Sequence, residues 1–257
     1  MVRRIHRETI LLAGWGRAIL LQLAHPLIAR GVADHSPFRS ERWGRVRRLD
    51  RTLRAMLALT FGTPEAVERT AAGINAVHRR VHGTLPEAAG RFPAGTRYSA
   101  RDPELLRWVH ATLLDSFLLT YERFVGPLTP AERDRYCLES AESEVRLGMP
   151  AGWLPRSVAA NQAYLEGMLV RGDIAVTDTA RMLAREVVSP AVPWPARPVF
   201  ALVRLTTLWL LPPGIRRDYG YEWSTGRERA MAGLAALVRA GLPLLPSALR
   251  HWRGVRS

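Results

Sequence analysis

Apolar side chains recur every three or four residues along almost the whole of this chain, and alternating runs of Val, Ile and Thr are scarce. A strand needs a period of two, so the pattern favours helices and leaves little from which to build a sheet. An all-α protein of about nine or more helices is expected. Helix starts agree with this. Thr63-Pro64, Asp102-Pro103-Glu104 and Thr129-Pro130-Ala131-Glu132 each put a capping oxygen before a proline whose missing N–H costs nothing, and the last has capping-box spacing. With 257 residues, and no Gly/Ser-rich linker, low-complexity tract or internal repeat, the chain reads as one domain over 1–257.

The rest is organised around residues 47–83, two helices joined by a Gly-Thr-Pro turn. The second is expected to run to about Gly83, with Val67, Ala71, Ile74, His78 and Val81 on one stripe, so an imidazole points at the core. On the first, Arg48 and Thr52 are four apart on one face, a guanidinium and a hydroxyl that can hold an anion. Before the pair, a helix over 9–30 bent at Pro26 is expected, then a loop or broken helix over 31–44. After it come a Gly/Pro-rich loop, then helices from Pro103, from Pro130 to about Gly148, over 157–170 and 177–187, from Pro198 to Leu211, and over 226–240. The helix from Pro103 carries a stripe of Leu106, Val109, His110, Leu113 and Phe117.

The formal net charge is +14, and no lysine is present. Arginine suits bidentate contacts to phosphate or carboxylate, so anionic lipid, acidic partners and carboxylated ligands are admissible. Specific nucleic-acid binding is not expected, because the arginines are spread out with no basic tail, zinc-finger spacing or RNP-like motif. Cys137 is the single cysteine, which excludes an internal disulfide and a thiolate-rich metal site and suggests a reducing compartment, the cytoplasm. Arg17 interrupts the first apolar run and no cleavage site follows, so a signal peptide is not expected. Residues 198–211 are too few for a membrane span and contain Arg204.

His78 is the first candidate, since a neutral imidazole projecting from a buried helix is the usual haem-iron ligand; the ordinary alternative is a hydrogen-bonded core histidine. His82 makes an HxxxH pair with it, but no glutamate follows His78 and no acid completes a triad. Arg48 and Thr52 offer a fork and a hydroxyl for a propionate, or else are a surface arginine and a helix threonine. His110 reads equally as a ligand or as a buried structural histidine. Asp34 and His35 can serve as acid or base, or only cap a turn. Glu139, Glu142 and Glu144 with Arg146 read as solvated helix positions. No Glu-x-x-His motif exists, which excludes a carboxylate-bridged di-iron bundle.

Five segments in order, QLAHPLIARGVADHSPF, RRLDRT, NAVHRRVHG, YSARDPELLRWVHATLLDSF and DRYCLESAESEVRLGMP, resemble the bacterial family that shares its domain with the rubber oxygenase latex clearing protein and the mycophenolic-acid-pathway oxygenase. The resemblance covers about 11–223. It implies an all-helical, globin-like fold holding haem b, with dioxygen bound opposite a proximal histidine and isoprenoid double bonds cleaved to carbonyls. His78 matches the haem ligand, Arg48 and Thr52 the arginine and threonine beside the haem, and His110 a further histidine of structural role. Two positions depart. Arg51 stands where rubber oxygenases carry an iron-capping lysine, and their glutamate base has no clear counterpart, Asp34 being the nearest acid. The expected function is oxidation of a hydrophobic, isoprenoid-type substrate by dioxygen. The alternative is a cofactor-free, Arg-rich helical protein making peripheral contact with anionic membrane or acidic partners.

Overall fold

The computed structural model describes residues 1–35, 50–190 and 193–252 in full, and 44–49 as helical backbone. Among the described residues the protein is all-α, with thirteen α-helices and a single pair of three-residue strands. At its centre lies α2 (Leu12–Leu23), packed between α6 (Pro103–Phe124) and α10 (Arg197–Leu210). Two glycines permit that approach. A Cβ on Gly14 would sit 2.0 Å from Thr120 Oγ1 of α6, and one on Gly16 would sit 2.1 Å from Thr207 Oγ1 of α10. The facing strip of α6 is a column of small hydroxyl residues. Thr112, Ser116 and Thr120 each donate to the carbonyl four residues back, at 2.8, 2.6 and 2.7 Å, so no hydroxyl is left wanting at the contact. Arg17, buried in the same seam, donates to Leu210 O (2.8 Å), Ser116 Oγ (2.7 Å) and Asp115 Oδ2 (2.6 Å), tying the three helices together.

The first of the two largest apolar clusters joins Leu20, Leu21 and Leu23 to α9 (Asp178–Val188) and α11 (Pro213–Asp218). The second joins Trp15 to Phe117, Tyr121 and Leu114 of α6, to Ile5 of α1 (Val2–His6) and to Tyr136 and Cys137 of α7 (Pro130–Ala141). The remaining helices are α3 (Pro26–His35), α4 (Gly44–Phe61), α5 (Pro64–His78), α8 (Val158–Val170), α12 (Thr225–Gly241) and α13 (Ser247–Arg250). The end of α13 and the residues after it return to the start of the chain. Arg250 donates through Nε and Nη2 to the buried Glu8 carboxylate at 2.9 and 2.8 Å, and Trp252 Nε1 donates to His6 O at 3.0 Å.

The expected caps form. The Ala66 N–H donates to Thr63, that of Glu104 to Asp102 Oδ1 (2.9 Å), and Thr129 and Glu132 exchange both capping-box bonds. Several helix ends differ from the sequence reading. Pro26 does not bend one helix but opens another, at 104° to the segment before it. Because α3 then continues to His35, Asp34 and His35 belong to a helix rather than a loop, while residues 36–43 lie outside the described residues. The helix expected to reach Gly83 stops at His78, because residues 82–84 leave it to pair with 97–99 as β1 (His82–Thr84) and β2 (Arg97–Ser99). Likewise α7 stops at Ala141 instead of Gly148. There the chain turns so that Glu144 enters the protein, where it accepts from the N–H groups of Gly152 (2.6 Å) and Leu154 (3.0 Å) and from Arg156. Glu144 is thus buried, not solvated, while Glu142 is exposed as expected.

Candidate functional site

The turn at Thr63-Pro64 folds α4 and α5 against each other, and α5 finds its further support in the turns after α7. There Asn75 Nδ2 donates to Arg146 O (2.8 Å) and Arg146 pairs with Glu68 (2.8 Å). His78 is the last residue of α5 and is half-buried. Its Nδ1 is sealed from solvent and has no hydrogen-bond partner among the described residues, and burial holds the imidazole below its usual pKa, so it is neutral near pH 7. His82, four residues on, lies exposed on β1.

On α6 the deepest positions are those of the hydroxyl column and its neighbours, Trp108 and Ala111 among them. The stripe of Leu106, Val109, His110 and Leu113 is therefore half-buried and turned to the side of the α2 contact. Leu113 packs on the same cluster as Leu53 and Met56 of α4, and Leu106 on the cluster of Met149 and Leu154. His110 repeats the state of His78. Its Nε2 is buried without a partner among the described residues, and burial lowers its pKa to about 4, against a smaller opposing pull from Glu144. Two neutral imidazoles with unpartnered buried nitrogens thus occur on helices that both border the turns over 141–149.

The Arg48 side chain lies outside the described residues, and Thr52 is exposed on α4. Asp34 belongs to a network with Arg30, Tyr98 and His35 that reaches the backbone of His82. Its carboxylate accepts from Tyr98 Oη at 2.5 Å and from Arg30 Nε at 2.8 Å, while His35 Nε2 donates to His82 O at 3.0 Å. Burial would raise the Asp34 pKa, but the bonds from Arg30 and Tyr98 outweigh it and hold the carboxyl below its usual range. The Tyr98 phenol is pushed up to about 12, by burial and by that same bond.

A family model described as ER-bound oxygenase mpaB/B'/rubber oxygenase, catalytic domain, matches residues 2–240. The chain belongs to this family. It carries an oxygenase catalytic domain, which takes dioxygen and a small-molecule substrate. Neither a comparison with curated proteins nor one with solved structures gave a match.

In this rubber oxygenase/mpaB domain two histidines escaped the sequence reading, the buried His25, between α2 and α3, and the half-buried His6. His6, at the end of α1, bonds Thr60 Oγ1 through Nδ1 and Tyr136 Oη through Nε2, both at 2.8 Å, and lies edge-on to Phe117 with ring centroids 5.4 Å apart. Its pKa falls to about 3, through burial first and then the nearby His110 and the chain's amino group. The oxygenase domain therefore brings His6 and His110 within electrostatic reach of each other, beside α4 and α7. No local signal marked His6, because its partners are 54 and 130 residues away.

Proposed function

We propose that this oxygenase is haem b-dependent and oxidises a hydrophobic, isoprenoid-type substrate with dioxygen, with His78 as the iron ligand. The reading rests chiefly on the unpartnered, buried Nδ1 of a neutral His78. Leaving such a group unsatisfied costs about 1–3 kcal/mol, an anomaly that a function explains. The donor set also suits a porphyrin, which brings the equatorial ligands itself and needs one imidazole from the protein. Among the described residues no three His, Cys, Asp or Glu side chains converge to hold a bare metal ion.

When bound, haem b would supply the activation of dioxygen. His78, kept neutral by burial, would hold the iron through an imidazole nitrogen. Arg48 and Thr52, one turn apart on α4, would bind a propionate by fork and hydroxyl. His110, neutral with its own free nitrogen, would border the same pocket. The half-buried apolar side chains Leu53, Met56 and Leu57 of α4, Ile74 of α5, and Leu106 and Leu113 of α6 would exclude water and receive an apolar substrate. Asp34 would receive or return a proton. The reading takes the whole chain as one domain, which the clasp between Glu8 and Arg250 supports, and places it in the cytoplasm, which the single, buried Cys137 supports.

The absorbance spectrum of protein expressed with haem precursor tests this directly. A Soret band that shifts on dithionite reduction is expected, lost in His78→Ala and kept in His82→Ala, whose imidazole is exposed. A band that survives His78→Ala overturns the ligand assignment. A protein that stays colourless through haem titration overturns the cofactor and favours the cofactor-free alternative.

A further inference from the structure

The two halves of α10 lie in different surroundings. Thr206 to Leu210 are buried along α2, but Val199, Leu202, Val203 and Leu205 are 63, 46, 41 and 37% exposed, and Trp194, in the turn that feeds the helix, is 78% exposed. At about 100° per residue these four side chains share one side of the helix, an arc of about 160°, and Arg197 and Arg204 lie across from it. An exposed apolar arc with arginine the only charge on the other side is the pattern of a helix that lies in a membrane interface.

The charge narrows the choice. Arg197 and Arg204, both exposed, are the only charged residues of α10, and no Asp or Glu occurs between Glu186 and Asp218. Arg204 lies over Tyr221, its guanidinium carbon 6.0 Å from the ring centroid. An exposed tryptophan beside an apolar tip, with arginine as the only charge, matches the order of a membrane interface from acyl chains to phosphates. The exposed part of α10, about 13 Å long at 1.5 Å per residue, suits shallow burial, and among the described residues no single helix is long and apolar enough to cross a bilayer. We propose that the projecting half of α10, with Trp194, inserts into the interfacial layer of an anionic bilayer while Arg197 and Arg204 pair with lipid phosphates. This docking is independent of haem.

Sedimentation of the full-length protein with vesicles of mixed phosphatidylcholine and phosphatidylglycerol, and of phosphatidylcholine alone, tests the proposal. Binding to the anionic vesicles is expected, at least about tenfold weaker in Leu202→Glu/Val203→Glu and roughly tenfold weaker in Arg197→Ala/Arg204→Ala. Thermal melts of both variants should match the parent, because all four side chains are exposed. Brominated lipid should quench tryptophan emission, and less so in Trp194→Phe. No binding to the anionic vesicles, binding that survives Leu202→Glu/Val203→Glu, or quenching unchanged in Trp194→Phe overturns it. So does a dimer in sedimentation velocity that this double variant abolishes without any vesicle binding, which would give the surface to a second copy of the chain.

Discussion

Three histidines, His6, His25 and His110, are held neutral at pKa values of about 3, 4 and 4, in each case chiefly by burial. An unfolded imidazole titrates near 6.5, so between that pH and about 4 the unfolded chain binds protons that the folded one refuses. Stability should be full above pH 6.5 and fall as pH drops toward 4, with a slope approaching about 4 kcal/mol per pH unit when all three contribute. Urea midpoints measured at pH 7.5, 6 and 5 check this; a flat series would show that these imidazoles are not desolvated. The residue scale is also where the sequence is most unevenly legible. His78 and His110 stand out because each shares a helical stripe with apolar neighbours. His6 has no such stripe, and Glu144 looks solvated until the chain leaves the helix at Ala141 and folds it inward. Asp34 was visible as an acid, but its bonding to Tyr98, 64 residues on, was not.

At the scale of elements, helix starts were legible and helix ends were not. Thr63, Asp102 and Thr129 cap through atoms two or three residues away, so the signal is local. The ends of α5 and α7 are set by distant partners, namely the β2 strand that takes up residues 82–84 and the Gly152 and Leu154 N–H groups that draw in Glu144. The central contact was equally hidden, since Gly14 and Gly16 gain their meaning only from Thr120 and Thr207 opposite. Gly14→Ala should destabilise the protein by about 1–3 kcal/mol, because the new methyl meets Thr120 Oγ1 in a seam with no slack. Thr120→Ala in the same chain should recover part of that loss. A double-mutant cycle by chemical denaturation measures the coupling; strictly additive effects would mean the seam relaxes by other means.

For the whole molecule, the ordered series of weak motifs pointed to the family, and the family model over residues 2–240 establishes it. The closure of the chain on itself was not foreseeable, because the Glu8–Arg250 bond spans 242 residues. Arg250→Ala leaves the Glu8 carboxylate buried with only Arg7, 3.9 Å away, and His251 nearby, and should cost roughly 2–3 kcal/mol. Glu8→Gln/Arg250→Ala should cost less than that single change, a difference readable in denaturation midpoints. The same long reach governs how the protein is made. The α2 helix leaves the ribosome roughly two hundred residues before Thr207, Leu210 and Tyr219, which close its second face, at separations such as 193 for Arg17 to Leu210 and 199 for Leu20 to Tyr219. Over that stretch of synthesis the nascent chain must therefore carry α2 half-covered, and the yield of folded protein should depend on a chaperone that shields α2 until α10 and α11 arrive.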